Sequence, residues 1–363
     1  MDYATEVQTK LELVRDLMAA HNLDTLWLRR VEDVSWITGG IDVAVNTAAA
    51  IGVATVVITP DTCEMWTNTI EAPRLQAEDQ VRERGFELRV TPWHEAEPSP
   101  QSAALGVDFP LPGAHDLSGE LALLRATLLP VEQERFRDLG RRCADAMQAA
   151  IGRVQPGMTE EQIGAALADE TRACGANPVV VLIGTDERVH KVRHPIPTGK
   201  TLDRYAMLVL CGRRDGLVCS VTRLVHFGPI SADVQRRMNA TADVDAAMLA
   251  ASQPGTTLEQ VFRAAQDAYA RAGFADEWKL HHQGGLAGYT AREMLGVPGA
   301  TAELKPGMVC AWNPSISGAK CEDSILVTAR GQAPEILTAI EGWPVRTVEI
   351  SGLTLARPVI LQV

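Results

Sequence analysis

The 363-residue chain has no apolar run long enough to cross a bilayer, no Cys-x-x-Cys pair, no Gly-x-Ser-x-Gly elbow and no excess of positive charge. Each absence excludes a class. Without about 20 consecutive apolar residues there is no membrane-spanning helix. Lys and Arg number 34 against 46 Asp and Glu, a formal net charge of -12, which argues against a general nucleic-acid or anionic-membrane binder. The seven cysteines, at 63, 143, 174, 211, 219, 310 and 321, form neither a zinc knuckle nor a disulfide framework. They fit reduced thiols in a cytoplasm, and most read as small buried hydrophobes. The first residues, MDYATEVQTKLELVRDLM, are acidic and amphipathic, unlike a secretory signal.

What is present suits two domains. A length of 363 residues is large for one core, and 46% hydrophobic with 22% charged residues is ordinary globular composition. Residues 1–120 alternate helix and strand. Val7, Leu11, Leu13, Val14, Leu17 and Met18 share one helical face, and β-rich runs follow at TLWLRR, SWIT, AAIGVATVVIT, EMWTN, ELRVTPW and ALGVDF. This pattern predicts a smaller α/β domain with a mixed sheet. Residues 121–363 form the second domain, opening near Pro130 with a long amphipathic helix.

That second domain contains an internal duplication. QPGMTEEQIGAALADETRACG (155–175) matches QPGTTLEQVFRAAQDAYARAG (253–273) at an offset of 98 residues. Each copy is a Pro-Gly turn followed by a helix start, with capping-box spacing at Thr159/Gln162 and Thr257/Gln260. A period this long is no solenoid. It predicts two αβ halves related by a pseudo-two-fold, with a site between them. Between the copies, AMLVLCGRR and LVCSVTRLVHF flank Asp215-Gly216, a strong hairpin turn. MVCAWNPS and AKCEDSILVT form a second strand pair around Ile316-Ser317-Gly318.

In order, LLPVEQERFRDLG, the repeat, RHPIPTGKTL, GLVCSVTR, GGLAGYTARE, LKPGMVCAWNP and KCEDSILVT resemble the landmarks of the creatinase/aminopeptidase P/prolidase family (peptidase M24). The resemblance implies an α/β (α+β) architecture: a C-terminal pita-bread domain, preceded by a creatinase-type N-terminal domain that includes EDVSWITGG. It also implies a homodimer, in which Arg29, Arg30 and Trp36 of one subunit could approach the partner's cleft.

The metal-dependent members of that family place two Asp, one His and two Glu around a metal pair. On this sequence those positions fall on Leu210, Ser220, Gly285, Asn313 and Glu322, and only Glu322 keeps its acid. Leucine and glycine offer no ligand atom, and paired metals need bridging carboxylates. The expectation is therefore a site with no metal and no other cofactor. Creatinase itself hydrolyses a C–N bond without metal, using a histidine whose counterpart here is His194; His190 is a near neighbour. The second site histidine of the family matches His281, with His282 beside it, and a third is replaced by Arg292, followed by Glu293.

The expected catalytic residues are His194, His281, His282 and Glu322. The expected substrate-binding residues are Arg292, Glu293, Asn313, Ser220, Gln283 and Trp312. Imidazoles near neutrality move protons, and Arg292 can take a carboxylate bidentately. Strand alternation predicts that His281 and His282 do not both face the pocket unless the Gly284-Gly285 run bends the chain, and that Glu322 faces it while Asp323 does not. By the same rule Cys219 and Cys321 point away, Arg223 braces the sheet, and Ser220 is a rival nucleophile with His194 as its base. The reading is a metal-independent hydrolase or lyase, creatinase-like, for a small, polar, carboxylate-bearing or zwitterionic C–N compound. The alternatives are a binding protein on a dead peptidase scaffold and a metal-dependent Xaa-Pro aminopeptidase or dipeptidase.

Overall fold

In the first unit, Asp2 caps the helix Tyr3–Ala20 by accepting from the Thr5 amide. The helix buries Val7, Leu11, Val14 and Met18, a spacing of three and four residues, while Leu13 is exposed. The computed structural model describes residues 2–363, and the chain divides into two compact units between Arg125 and Ala126. The sheet of the first unit runs Glu87–Thr91, Cys63–Asn68, Ile51–Ile58, Thr25–Arg30, Leu105–Val107, His115–Asp116. Its central pairs are antiparallel and its outer pairs parallel, so the sheet is mixed. SWIT is not a strand. Val31–Ile37 is a short helix that buries Val34, Trp36 and Ile37. Trp36 is core, with Lys10 over its ring, and is not presented to a partner. Arg29 and Arg30 pair with Glu97 and Glu32.

The second unit, Ala126–Val363, is built twice. Helices Pro130–Arg153 and Glu160–Ala173 accompany a sheet of Asn177–Thr185, Tyr205–Arg214, Leu217–His226 and Leu361–Gln362. Helices Ala232–Ala251 and Leu258–Arg271 accompany a sheet of Met294–Leu295, Gly284–Ala287, Val309–Trp312, Asp323–Leu326 and Glu335–Ile336. The duplicated helix starts carry the same cap. The Thr159 hydroxyl accepts from the Gln162 amide at 3.1 Å and the Gln162 side chain accepts from the Thr159 amide at 2.9 Å. Thr257 and Gln260 repeat this at 3.2 and 2.8 Å. Each capping threonine also bridges an extended segment, Thr159 to Thr201 and Thr257 to Glu303.

The long hairpin sets the register of the site. Asp215 and Gly216 both have positive φ, +49° and +77°, as a two-residue type I′ turn requires. Pairing outward from that turn puts Cys211 opposite Ser220 and Leu210 opposite Val221. The two sheets are tied where Thr222 bridges Glu322. Among the described residues, no helix is long and apolar enough to cross a membrane.

Candidate active site

A cavity of about 370 Å³ opens where these segments of the second unit converge. Val180, Leu182, Val209 and Ile196 give it an aliphatic wall. His194, His282, Arg292, Asn313, Lys320 and Glu322 supply its polar groups, and Cys211 is part of its lining.

Glu322 is fully committed. One oxygen accepts from Arg292 at 2.8 Å; the other is 3.0 Å from the Lys320 ammonium and accepts from the Thr222 hydroxyl. Burial alone would raise its pKa, but Lys320 and Arg292 outweigh this and hold it down to about 2. Two fixed cations thus sit on the one acid that survives from the family's ligand set. Arg292 also donates to the Ser220 hydroxyl at 3.1 Å. Lys320 was not singled out from the sequence, although it lies two residues before Glu322. The period-two rule that turns Glu322 inward applies to it as well.

Opposite the cations stand three imidazoles. His194 Nε2 and His281 Nε2 are 2.9 Å apart, a contact that needs one shared proton. The His281 and His282 rings stack at 4.4 Å, and the His194 and His282 centroids are 5.9 Å apart. His281 and His282 therefore both join the cluster, against the alternation argument. They lie between a 3₁₀ turn, Glu277–Leu280, and a strand that begins only at Gly284, so no pleat alternates them. Burial first, then Lys320 and its imidazole neighbours, pulls His281 down to about 3. Burial, then Arg292 and Lys320, pulls His282 down to about 4. His194, at the exposed rim, is lowered by partial desolvation and then by Lys320.

A clamp brings the first and second histidines together. Arg193 donates to the Ser315 and Ser317 hydroxyls and pairs with Glu277, which lies just before His281. On the other side, buried Glu160 accepts from the amides and hydroxyls of Thr185 and Thr198, fixing the Pro-rich segment that carries His194. His190 is elsewhere, packed on Gly318.

Several expected site residues are not on the cavity wall. Trp312 is core, its indole donating to Ser252 at 2.9 Å. Gln283 is buried between the Tyr269 hydroxyl and the carbonyls of His281 and Trp278, so it braces the histidine turn. Glu293 accepts from the amides of Tyr289 and Thr290 and holds the Arg292 loop. Ser220 is buried behind Arg292 and touches Cys211 at 3.3 Å rather than a histidine, so the serine–histidine arrangement is not formed. Leu210 faces the opposite side from the cavity. Its neighbour Cys211 takes the position across from Ser220, and counting outward from the Asp215-Gly216 turn would have found it. Burial pushes the Cys211 thiol up to about 11, so it is a neutral group and no ready nucleophile. Cys219 and Cys321 lie off the wall, bonded to Ser324 and the Pro358 carbonyl. Arg223 binds Asp323 and the Thr338 carbonyl within the sheet.

The chain matches a metallopeptidase M24 profile over residues 134–329. It belongs to metallopeptidase family M24. The probable dipeptidase PepE of Mycobacterium tuberculosis is 28% identical over 250 residues, 63% of this chain and 66% of that protein. In structure, dipeptidase PepE from Mycobacterium ulcerans superposes with a TM-score of 0.78 at 18% identity, covering 100% of both chains. The prolidase of Pyrococcus horikoshii OT3 gives 0.77 at 17% identity, over 92% of this chain and 99% of that one. The M24 chain thus has the pita-bread fold with an added N-terminal domain.

The family implies a metal pair, and the residues at its positions do not fit one. A Cβ built on Gly285 would lie 1.9 Å from the Met294 carbonyl oxygen, so this backbone admits no side chain there. Glu322 has its lone pairs on Arg292, Lys320 and Thr222. Asn313 and Ser220 are neutral, and the thiol of Cys211 stays protonated. A carboxylate-rich bridge is missing.

Proposed function

We propose that this M24 protein hydrolyses a C–N bond in a small carboxylate-bearing or zwitterionic amide, using imidazoles and fixed cations in place of the family's metal pair. The observation that carries this reading is the pair of cations, Arg292 and Lys320, on Glu322 beside the His194–His281 contact. One carboxylate against two cations leaves the wall with a surplus positive charge, which suits an anionic ligand group.

In the proposed reaction, Arg292 and Lys320 hold the substrate carboxylate. His194, its ring held by the Nε2 contact with His281, takes a proton from water as the water oxygen bonds to the amide carbon. The same proton passes to the departing nitrogen as the C–N bond breaks, so acid and amine products balance water and amide. Asn313 orients the amide. The relatives bear peptidase and dipeptidase names, which puts dipeptide-like amides ahead of amidino compounds of the creatine type. We further propose a homodimer working in the cytoplasm.

The test is a mass-spectrometric screen of dipeptides, N-acyl and N-carbamoyl amino acids, amino-acid amides and amidino acids. Turnover lost in His194→Ala but not reduced by a chelator supports the reading. Dipeptide cleavage abolished by a chelator overturns it. The mutual satisfaction of Glu322, Arg292, Lys320 and Thr222 favours one second reading, a ligand-binding protein without turnover. Stoichiometric binding of a carboxylate compound with no product would select it.

A further inference from the structure

The three histidines carry more than proton transfer requires. Acid–base work needs one imidazole and a partner, yet His194, His281 and His282 all present a ring nitrogen, and these atoms lie within 4.8 Å of one another. His281 is only 9% exposed, and the Nε2 it turns to His194 lies out of bulk water. Asn313, 2% exposed and on the cavity wall, leaves its Oδ1 without a partner. Buried polar atoms without partners cost free energy unless a ligand or ion satisfies them.

We propose that His194, His281 and His282 form a binding site for a single borderline divalent transition-metal ion such as Zn²⁺ or Co²⁺, separate from the family's two-metal position. Three imidazoles with a fourth position open to a cavity are an established donor set for these ions. Nitrogens bound at about 2.0–2.1 Å around a tetrahedral ion lie roughly 3.3 Å apart. The 2.9 Å contact between His194 and His281 is already near that span, so the His282 ring is the one that must move inward. Burial holds His281 and His282 neutral, the form that coordinates, and partial desolvation lowers His194 in the same direction.

The site is selective by chemistry and moderated by charge. Imidazole donors without carboxylates favour Zn²⁺, Co²⁺, Ni²⁺ and Cu²⁺ over Mg²⁺ and Ca²⁺. Lys320 and Arg292 act on these rings electrostatically, since both contribute to holding His282 neutral, and they oppose an incoming dication. The site is therefore weaker than an isolated three-histidine centre, and removing Lys320 strengthens it.

An ion here occupies the lone pairs that His194 and His281 need for proton transfer. If the acid–base reading above holds, the ion is an inhibitor, and a chelator raises turnover where it would abolish that of a metal-dependent relative. This consequence rests on that reading. The binding does not, and it is measured without substrate.

The experiment titrates chelator-stripped protein with Co²⁺, followed by visible absorption and calorimetry. Expected are one equivalent bound, d–d bands of a low-coordinate nitrogen site, no competition by Mg²⁺, and affinity lowered by more than about tenfold in His281→Gln and His282→Gln. Lys320→Met should tighten binding several-fold. Should a histidine variant fold poorly, paramagnetic broadening of the three imidazole proton signals in the wild-type chain gives the same answer. Absence of Co²⁺ bands in the wild type, or binding unchanged by the histidine substitutions, overturns the site.

Discussion

Glu322 and Asp323 are adjacent on one extended segment, yet they belong to two different electrostatic arrangements. Asp323 points into the protein and pairs with Arg223 at 2.8 Å and Arg357 at 2.6 Å, while Arg357 also pairs with Asp245 at 2.6 Å. Two arginines meet two aspartates, all buried, and the Thr338 hydroxyl completes Asp323. Glu322 points into the cavity, where one acid meets two cations and Asn313 has an oxygen to spare. Both clusters are buried and both are ionic. The balanced one braces the sheet; the unbalanced one, open to a cavity, needs something from outside to complete it. Burial of charge alone would not have told them apart.

The comparison breaks most sharply at Asp323. Asp323→Ala strands Arg223 and Arg357 without their shared acid and should cost about 3–5 kcal/mol in urea unfolding. A loss below 1 kcal/mol would mean the balanced cluster is not what holds this sheet.

Lys320→Met tests the other face. It leaves Glu322 with Arg292 and Thr222, so stability should change by no more than about 1–2 kcal/mol, while affinity for acetyl amino acids in calorimetry falls at least about tenfold. Equal binding by the variant would remove the carboxylate role assigned to this wall.

Acid separates the faces further. His281 and His282 titrate near 3 and 4 in the folded chain against an ordinary 6.5. Between those values the unfolded chain binds more protons, so stability rises with pH. It is lost as pH falls from about 6.5 towards 4, and Glu322, at about 2 against 4.5, extends the loss below 4.5. Asp245, raised by burial to about 6 from 3.8, acts in the opposite sense, lowering stability as pH rises through that interval. The double variant His281→Gln/His282→Gln should therefore flatten the acid limb of melting temperature against pH. An unchanged limb would show the imidazoles to be ordinary.

Cys211→Ser should have the smallest effect, within about 1 kcal/mol, because it swaps one small buried polar group for another beside Ser220. Thiol reagents should label Cys211 slowly in the native protein, since its thiol is held well above neutral; rapid labelling would contradict that environment.

Much of the fold was legible because it rests on local chemistry. The two capping boxes, the Asp215-Gly216 turn and the long helix from Pro130 are each written in a few neighbouring residues. SWIT misleads because its three β-prone residues have no strand partners; in the chain the Thr38 hydroxyl bonds back to the Val34 and Ser35 carbonyls, and the Ser35 hydroxyl donates forward to the Ile41 carbonyl. In the site, counting back from Gly212 points to Leu210, whereas hairpin pairing selects Cys211. Trp312, Gln283 and Glu293 sit beside cavity residues in sequence but are turned into the core or onto backbone amides. The Arg193–Glu277 clamp was invisible, since 84 residues separate its ends.

The narrow passage of backbone at Gly285 has a bearing on any attempt to build a two-metal enzyme from this chain. Placing a histidine at 285 and acids at 211, 220 and 313 would not suffice, because strand Met294–Leu295 already occupies the place of the new Cβ. The neighbouring strand would have to be displaced first. Conversion in that direction is blocked by main-chain packing, and no set of side-chain exchanges confined to the cavity can undo it.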